Sequence, residues 1–243
     1  MSKTKTIDLT SGPILKTLAE LALPIMASSL LGTAYNITDM AWIGMLGSKA
    51  VAGVGVGGMY VWLSQGLVAL PRMGGQVNVA QACGRGDYEQ ARGYAASALR
   101  LTFLLGILFA AICIVFIHPL LGFFNLGDAE TYTAAKLYTL ITCGLILFSF
   151  LNLTLTGLST AQGDSKTPLM ANLLGLVGNM ILDPIFIFGL NLGISGAALA
   201  TAFSQCISFG ILFFQSLLRK DCVHLKPGKI TLSLSLYGEI LHG

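Results

Sequence analysis

Charged residues are scarce in this 243-residue chain. They make up 10% of it, whereas a soluble globular domain carries about 25%. Hydrophobic residues account for 54% of the chain, and the mean hydropathy is +0.77. This composition excludes an ordinary soluble globule, and a net charge of +3 is too small to indicate nucleic acid as a partner. The sequence therefore predicts a polytopic protein embedded in a lipid bilayer.

The residues that build metal and nucleophile sites are also few. The chain has three histidines and five cysteines, and no two cysteines have the CxxC spacing. Residues 193–196 match the G-x-S-G pattern of intramembrane serine proteases, but nucleophilic catalysis needs a base within hydrogen-bond reach. Only His118 lies on the same predicted side of the membrane as Ser195. We therefore expect no enzyme activity and no resident cofactor.

Long hydrophobic runs, in contrast, are abundant. Six of them reach the roughly 20 residues that a membrane-spanning helix needs. They occupy residues 18–46, 51–80, 94–117, 132–160, 168–190 and 195–218. The predicted fold is an all-α bundle of six transmembrane helices.

Lysine and arginine are unevenly distributed among the predicted connections. The first, third and fifth connections hold a single cation, Lys49, whereas the N-terminus and the other connections are basic. The cations of the basic segments are Lys3, Lys5, Lys16, Arg85, Arg92, Lys166, Arg219, Lys220, Lys226 and Lys229. Because cytoplasmic segments carry the excess of lysine and arginine, we expect a multi-pass protein of the inner (plasma) membrane with its N-terminus in the cytoplasm.

Polar residues interrupt the fifth run. Asn179 and Asp183 are four residues apart and so share one face of a helix. Pro184 has no N–H, which favours a kink at this point. A charge at bilayer depth costs several kcal/mol and normally marks an ion or substrate pathway. The alternative is a structural aspartate bound to a neighbouring helix.

Other spans carry polar side chains to a similar depth. At 1.5 Å of rise per residue, Asp39, Tyr138 and Thr201 all lie in the outer half of their spans, as Asp183 does. Polar groups in hydrocarbon need partners, so we expect these side chains to converge on one pocket.

Further polar residues are placed less firmly. Tyr35 and Asn36 share a helix face with Asp39, and Asn152 lies nearer the middle of its span. Arg72 in the second span is either a buried functional cation or a side chain that reaches the inner interface.

The chemistry of the predicted pocket follows from its oxygen atoms. Burial favours the neutral form of a carboxyl group, so Asp39 and Asp183 can exchange a proton. They can also hold Na⁺ with help from Asn179 and Thr201, because hard cations take oxygen ligands. The residues do not decide between the two ions.

Residues 53–58 contain a G-x-G-x-x-G pattern. A dinucleotide site would require this pattern between a strand and a helix, with an acidic residue about 20 positions later. Here the pattern lies within a predicted span, and the next acidic residue is Asp87. We interpret these glycines as small residues that allow membrane helices to approach closely.

Several short segments, in their order and spacing over nearly the whole chain, resemble the N-terminal half of a multidrug and toxic compound extrusion (MATE) transporter of the DinF-like branch. They are Leu23-Pro24-Ile25, Thr38-Asp39, AQACGRGD at 80–87, AQGDSKTP at 161–168, NMILDP at 179–184 and GAALAT at 196–201. The resemblance implies a twelve-helix fold in which two six-helix lobes flank a central cavity and work by alternating access. Residues 1–231 would form the N-terminal lobe.

Residues 232–243 are expected to begin the second lobe. Residues 237–241 align with residues 18–22 at the start of the first span, and each set follows a basic segment. This is the pattern of a parallel internal repeat. The second lobe, of which only this start is present, would be a partner of the first.

The resemblance also implies a function. It predicts an antiporter, driven by H⁺ or Na⁺, that exports organic and often cationic compounds such as drugs and dyes. Asp39, Asn179, Asp183 and Thr201 would form the coupling site and the ligand set for Na⁺, with Tyr35 and Tyr138 adjacent. Candidates for the substrate cavity are Asn36, Arg72, Asn152 and Gln205. The rival is a lipid-linked saccharide flippase, whose cavity should be rich in cations, whereas this sequence offers mainly Arg72.

Overall fold

The computed structural model describes residue 30 and residues 32–218, and no β-strand occurs among them. The predicted beginning of the first span, residues 18–29, lies outside the described residues. So does the predicted start of a second lobe at residues 232–243.

Eight α-helices and one π-helical turn make up this part of the chain. Helix α1 is described over residues 32–44. It is followed by α2 (Ser48–Gly84), α3 (Tyr88–Val115), α4 (Ile117–Gly122), α5 (Ala129–Gly144), α6 (Ile146–Ala161), α7 (Lys166–Pro184), the π-turn (Ile185–Gly189) and α8 (Ile194–Leu218). Four helices, α2, α3, α7 with its π-turn, and α8, are long and apolar enough to cross a membrane, and α5 with α6 makes a fifth. These agree with five of the six predicted spans.

The fourth span differs from the prediction because it is broken. The sequence predicts one helix over residues 132–160, but the structure ends α5 at Gly144 and begins α6 at Ile146, with a bend of 46° between them. Glycine weakens a helix because it has the most backbone freedom to lose. Gly144 therefore explains why the bend falls at Leu145.

Glycine and aspartate together shape two of the connections. Gly86 and Gly163 have φ values of 76° and 79°, a left-handed conformation that glycine adopts without strain. The next residue binds the start of the following helix: Asp87, the N-cap of α3, accepts from the N–H of Gln90 at 3.0 Å, and Asp164, one residue before the N-cap of α7, accepts from that of Thr167 at 3.1 Å. The acidic residues of these two motifs therefore start helices.

Helix α2 packs along α5 through two of the glycines in residues 53–58. A Cβ atom on Gly53 would lie 2.6 Å from the Cβ of Ala134, and one on Gly57 would lie 2.6 Å from the Tyr138 ring. No real Cβ approaches a neighbour that closely, so only glycine fits at either position. The structure confirms that these glycines serve helix packing.

Glycine also sets the distance between α7 and α8. A Cβ atom on Gly175 would overlap the Ser208 hydroxyl and lie 3.0 Å from the Ser204 carbonyl oxygen. A Cβ on Gly196 would lie 2.7 Å from the backbone of Phe186. The seam between the two helices is therefore tight, and polar side chains on its two walls are forced together.

Candidate functional site

Two aspartates from different helices meet inside the bundle. Asp39 of α1 and Asp183 of α7 lie within hydrogen-bonding reach of each other. Asp183 is fully buried and Asp39 is 7% exposed. The Oδ1 atom of each has no hydrogen-bond partner. Two close, buried carboxyl groups cannot both ionise cheaply, so the pair is suited to hold one proton or one cation between them.

No basic side chain within residues 32–218 neutralises this pair. The ion pairs in that range join Lys49 to Asp128 and to Glu130 at the edge of the bundle. Within this range neither aspartate is therefore bound to a basic side chain on a neighbouring helix. Such a pair can take up a proton or a cation.

Asn179 holds one of the two carboxyl groups from the preceding turn of α7. Only one orientation of its amide satisfies both of its neighbours: the nitrogen donates to Asp183 Oδ2 at 2.8 Å, and the oxygen accepts from the backbone N–H of Thr201 at 3.1 Å. Asn179 is fully buried, so this bridge from α7 to α8 is protected from water. In this arrangement the amide presents a donor to the carboxyl pair.

Three hydroxyl groups complete the group. Tyr35 of α1 lies close to the Thr201 side chain of α8, and Tyr138 of α5 lies near Asp39, Asp183 and Tyr35. The structure thus brings together all six residues for which the sequence and the resemblance predicted a coupling role. We call Tyr35, Asp39, Tyr138, Asn179, Asp183 and Thr201 the carboxylate cluster.

The backbone after Pro184 is unusual. Since Pro184 has no N–H, the helix cannot continue its regular hydrogen bonding there, and it widens into the π-turn, in which the N–H of Leu190 bonds to the Ile185 oxygen at 2.8 Å. Such π-turns occur frequently at functional sites. The predicted irregularity at Pro184 therefore takes the form of a π-turn directly beside Asp183.

Apolar side chains close the cluster on the side of the π-turn. Ile43 and Ile187 are buried there, and the Trp42 and Phe188 rings pack edge to face with centroids 6.1 Å apart. On the other side, Tyr35 and Thr201 are only half-buried. The cluster is therefore less buried on the side of these hydroxyl groups than on the side of the π-turn.

A second polar group lies farther along the same helices. The Asn152 side-chain nitrogen of α6 donates to Asn172 Oδ1 of α7 at 3.1 Å and to Gln205 Oε1 of α8 at 3.0 Å. Asn152 is 5% exposed, and its Oδ1 has no partner. We call Asn152, Asn172 and Gln205 the amide cluster. It offers neutral donors and acceptors and no titratable group.

Three further polar residues lie outside the carboxylate cluster. Asn36 is exposed on α1 and joins neither cluster. Arg72 is half-buried, and its stem packs against Gly157 of α6, so its guanidinium is not part of the carboxylate cluster. Asn172 was missed, although it lies seven residues before Asn179 and therefore shares its helix face.

Outside the spans, one ion-pair group links the α1–α2 connection to the start of α5. The Lys49 ammonium lies 3.1 Å from Asp128 and 2.7 Å from Glu130, and all three residues are largely exposed. The hydrogen bond from Lys49, with those from Thr131, lowers the pKa of Asp128. Exposed pairs of this kind contribute little to stability.

Known proteins share both the sequence pattern and the architecture. The family model described as MatE matches residues 24–185. The probable multidrug resistance protein NorM of Thermotoga maritima is 30% identical over 94% of this chain and 50% of its own length. The chain spans about half the length of the curated relatives it matches.

Two solved structures of a multidrug resistance MATE family transporter of the MOP superfamily are also similar. The inward-facing conformation has a TM-score of 0.79 at 26% identity and covers 93% of this chain and 51% of its own. The outward-facing conformation has a TM-score of 0.82 at 28% identity and covers 99% of this chain and 53% of its own.

Proposed function

This chain belongs to the MATE family, and we propose that it forms one six-helix lobe of a cation-coupled antiporter that exports organic, often cationic, compounds. The observation that carries the proposal is the pair formed by Asp39 and Asp183. They are buried, in contact, and unpaired with any basic side chain in the described range. Such a pair changes its charge when an ion binds or leaves.

The charge change is linked to the position of the helices. Binding one cation between the carboxyl groups removes their mutual repulsion and favours the close approach of α1 and α7. Loss of the ion favours their separation. The π-turn begins at Ile185, two residues after Asp183. The end of α7 beside the pair is therefore the element that can change position when the ion binds or leaves. A ligand shifts a two-state equilibrium only by its differential affinity for the two states. Here the ion would bind more tightly to the state in which the two carboxyl groups are close.

Alternating access would move the lobe as a nearly rigid unit. The chain resembles the inward-facing and the outward-facing relatives almost equally well. That is expected if the two lobes rock against each other while each keeps its internal packing. Transport therefore requires a second lobe.

The orientation of the Asn179 amide determines whether this residue donates to the carboxyl pair or could offer an oxygen to a cation. Its nitrogen faces Asp183 and its oxygen is bound to the backbone of α8, so the residue stabilises a carboxylate but does not present an oxygen to Na⁺. The two unpartnered Oδ1 atoms fit either ion. A sodium site formed by Asp39, Asn179, Asp183 and Thr201 would require the Asn179 amide to turn over.

The amide cluster is the proposed contact for the polar parts of the substrate. Asn152 retains an unused acceptor, and Gln205 and Asn172 are half-buried on the same side. A lipid-linked saccharide flippase is not favoured, because its cavity should be rich in cations and this sequence offers mainly Arg72. The two solved structures that the chain resembles are of a transporter by title, and we accordingly propose no enzyme activity.

The proposed location is the inner (plasma) membrane with the N-terminus in the cytoplasm, as the positive-inside rule indicates. Single cysteines introduced near Gly127 should react with an impermeant maleimide added outside intact cells. Those introduced near Asp221 should react only after the membrane is opened. The opposite labelling pattern would reverse the orientation.

The function is tested with Asp183→Asn in the full-length transporter. The amide keeps the shape of the carboxyl group but cannot titrate, so efflux of a cationic dye driven by an imposed H⁺ or Na⁺ gradient should be lost. Folded yield in detergent should be kept, because a neutral amide is cheaper to bury than a carboxylate. Asp128→Asn is the matched control, since it changes an exposed carboxylate outside the cluster.

Normal gradient-driven efflux in Asp183→Asn would refute the coupling role. Loss of folded protein in that variant alone would show that the aspartate is structural. The ion whose gradient drives wild-type efflux identifies the coupling ion in the same assay.

A further inference from the structure

Arg72 of α2 carries a charge inside the membrane-spanning part of the bundle. It lies about 9 Å along the helix from the midpoint of Ser48–Gly84, at 1.5 Å of rise per residue. A hydrocarbon core of about 30 Å centred on α2 reaches about 15 Å to either side of that midpoint, so Arg72 lies within it. A charged side chain at such a depth normally faces a partner or a substrate pathway. Arg72 belongs to neither the carboxylate cluster nor the amide cluster.

The side chains of Arg72 and Gln76 lie one turn apart on the wall of α2 that meets α6. A Cβ atom on Gly157 of α6 would lie 3.0 Å from Cγ of Arg72 and 3.3 Å from Oε1 of Gln76. Both residues are half-buried, whereas Met73 and Val77 are 58% and 42% exposed on another face of α2. Neither Arg72 nor Gln76 has a side-chain hydrogen bond or an ion pair with a residue that the structure describes. Their N–H groups are therefore available to a ligand.

A polar arc on α6 connects this wall to the amide cluster. At about 100° per residue, Ser149, Thr156 and Gly157 are rotated in one direction from Asn152 by about 60°, 40° and 140°. Ser149 and Thr156 are half-buried, and Thr156 Oγ1 has no hydrogen-bond partner among the described residues. Gly157 lies only about 7.5 Å from Asn152 along the helix axis. Arg72 and the amide cluster therefore lie at the two ends of one polar strip.

We propose that Arg72 and Gln76 bind an oxyanion, the carboxylate of an exported compound whose other polar atoms contact the amide cluster. This inference rests on the proposed function, in which the amide cluster contacts the substrate. The planar guanidinium offers two parallel N–H groups to the two oxygens of a carboxylate, and the Gln76 amide offers a further donor. The substrate class thereby includes zwitterions, whose acidic group would neutralise Arg72 within the membrane.

A lipid phosphate is the other source of an oxyanion at this depth, because arginine can extend its head group towards the interface. The contact with Gly157 places the stem of Arg72 on the side of α6. The exposed face of α2, which carries Met73 and Val77, points elsewhere. This arrangement favours a compound bound between the helices over a lipid head group.

The test measures dye binding to the purified full-length transporter in detergent by fluorescence anisotropy. The two probes are a rhodamine dye with a free carboxyl group and the methyl ester of the same dye, which differ in that one charge. Arg72→Gln should raise the Kd of the acid by roughly 10- to 100-fold and leave the Kd of the ester unchanged. Arg72→Lys keeps the charge but loses the planar fork, so its Kd for the acid should be intermediate.

A weaker effect is expected at Gln76. Gln76→Leu removes one neutral donor and should raise the Kd of the acid by roughly 2- to 10-fold. Arg92→Gln is the matched control, because it removes an exposed cation at the start of α3. Its Kd for each dye should equal that of the wild type.

Equal weakening of the acid and the ester by Arg72→Gln would overturn the proposal and indicate a lipid phosphate or a structural role. If Arg72→Gln does not fold, the wild type and Arg72→Lys decide the question. The wild type should bind the acid more tightly than the ester, and Arg72→Lys should reduce that preference. A wild type that prefers the ester would also overturn the proposal. Binding needs no ion gradient, so a failure of this subsite and a failure of the antiporter assay are separate results.

Discussion

The carboxylate cluster and the amide cluster share two helices and differ in charge. Both lie on the seam between α7 and α8, and both place a buried residue at their centre: Asp183 is fully buried and Asn152 is 5% exposed. In the amide cluster two hydrogen bonds of 3.0–3.1 Å satisfy the central nitrogen. Asn152 Oδ1 has no partner, and in the carboxylate cluster two Oδ1 atoms, both on titratable groups, have none.

This difference separates two tasks on one scaffold. A neutral amide network keeps its charge at every pH, so it can bind a polar group but cannot respond to an ion gradient. A carboxyl pair responds because its charge depends on what is bound. We infer that the ion is sensed at one end of the seam and that polar substrate atoms are contacted at the other.

The largest effect on both clusters is expected from separating α7 and α8, the two helices that contribute to both. Gly175 lies between Asn172 and Asn179 on α7, and a side chain there would meet Ser208 and the backbone of Ser204. Overpacking of this kind costs about 1–3 kcal/mol, occasionally more. We expect Gly175→Val to lower the melting temperature in detergent and to abolish efflux.

Gly210→Val is the matched control, because nothing lies within 4 Å of a Cβ atom at Gly210, on the other helix of the seam, α8. Its melting temperature should stay near that of the wild type. Equal destabilisation by both substitutions would show that helix propensity, and not the tight seam, is responsible.

A smaller effect is expected from a substitution within the carboxylate cluster. Asn179→Ala removes a hydrogen bond to a charged group, which contributes about 1.5–3 kcal/mol. The ion concentration that gives half-maximal efflux should shift by roughly 10- to 100-fold, with the maximal rate largely kept. Unchanged ion dependence would mean that the bond of 2.8 Å to Asp183 plays no part in coupling.

At the amide end the expected effect is weaker and of a different kind. Asn172→Ala and Gln205→Ala each remove one neutral hydrogen bond, which contributes about 0.5–1.5 kcal/mol. The KM for the exported compound should rise by roughly 2- to 10-fold and the ion dependence should stay unchanged. An altered ion dependence with an unaltered KM would contradict the proposal that the amide cluster contacts substrate while the carboxylate cluster binds the ion.

The smallest effect is expected outside both clusters. The pKa of Asp128 is lowered by its hydrogen bond with Lys49, so this contribution to stability is present above the unfolded-state value of about 3.9 and is lost as pH falls through the lowered pKa. Lys49→Gln should therefore lower the melting temperature slightly at pH 7, and the difference should vanish at low pH. A difference that grows on acidification would contradict the ion-pair explanation.

The sequence predicted the carboxylate cluster better than the amide cluster for a physical reason. An aspartate in a hydrophobic span is rare enough to stand out, and counting helix turns from the ends of the spans was enough to align Asp39 with Asp183. Amides are less costly to bury and draw less attention, so Asn172 was missed although it lies on the same face as Asn179.

Two structural details were beyond what periodicity can supply. The break at Leu145 lies inside a continuous apolar run, and only the glycine before it hints at the bend. The exposure of Asn36 depends on how α1 is rotated against its neighbours. Side-chain spacing gives the relative positions of residues on a helix, but the face that packs inward is decided by contacts from distant parts of the chain.

The central claim is that Asp39 and Asp183 act as one unit that holds one shared proton or cation. Infrared difference spectroscopy of the full-length protein measures it directly, because the carbonyl band of a protonated carboxyl group is distinct from that of a carboxylate. Titration with acid in the absence of Na⁺ should reveal a coupled two-step process, and its first step should disappear in Asp39→Asn and equally in Asp183→Asn. Two independent titrations, each removed by only one of the substitutions, would contradict the account.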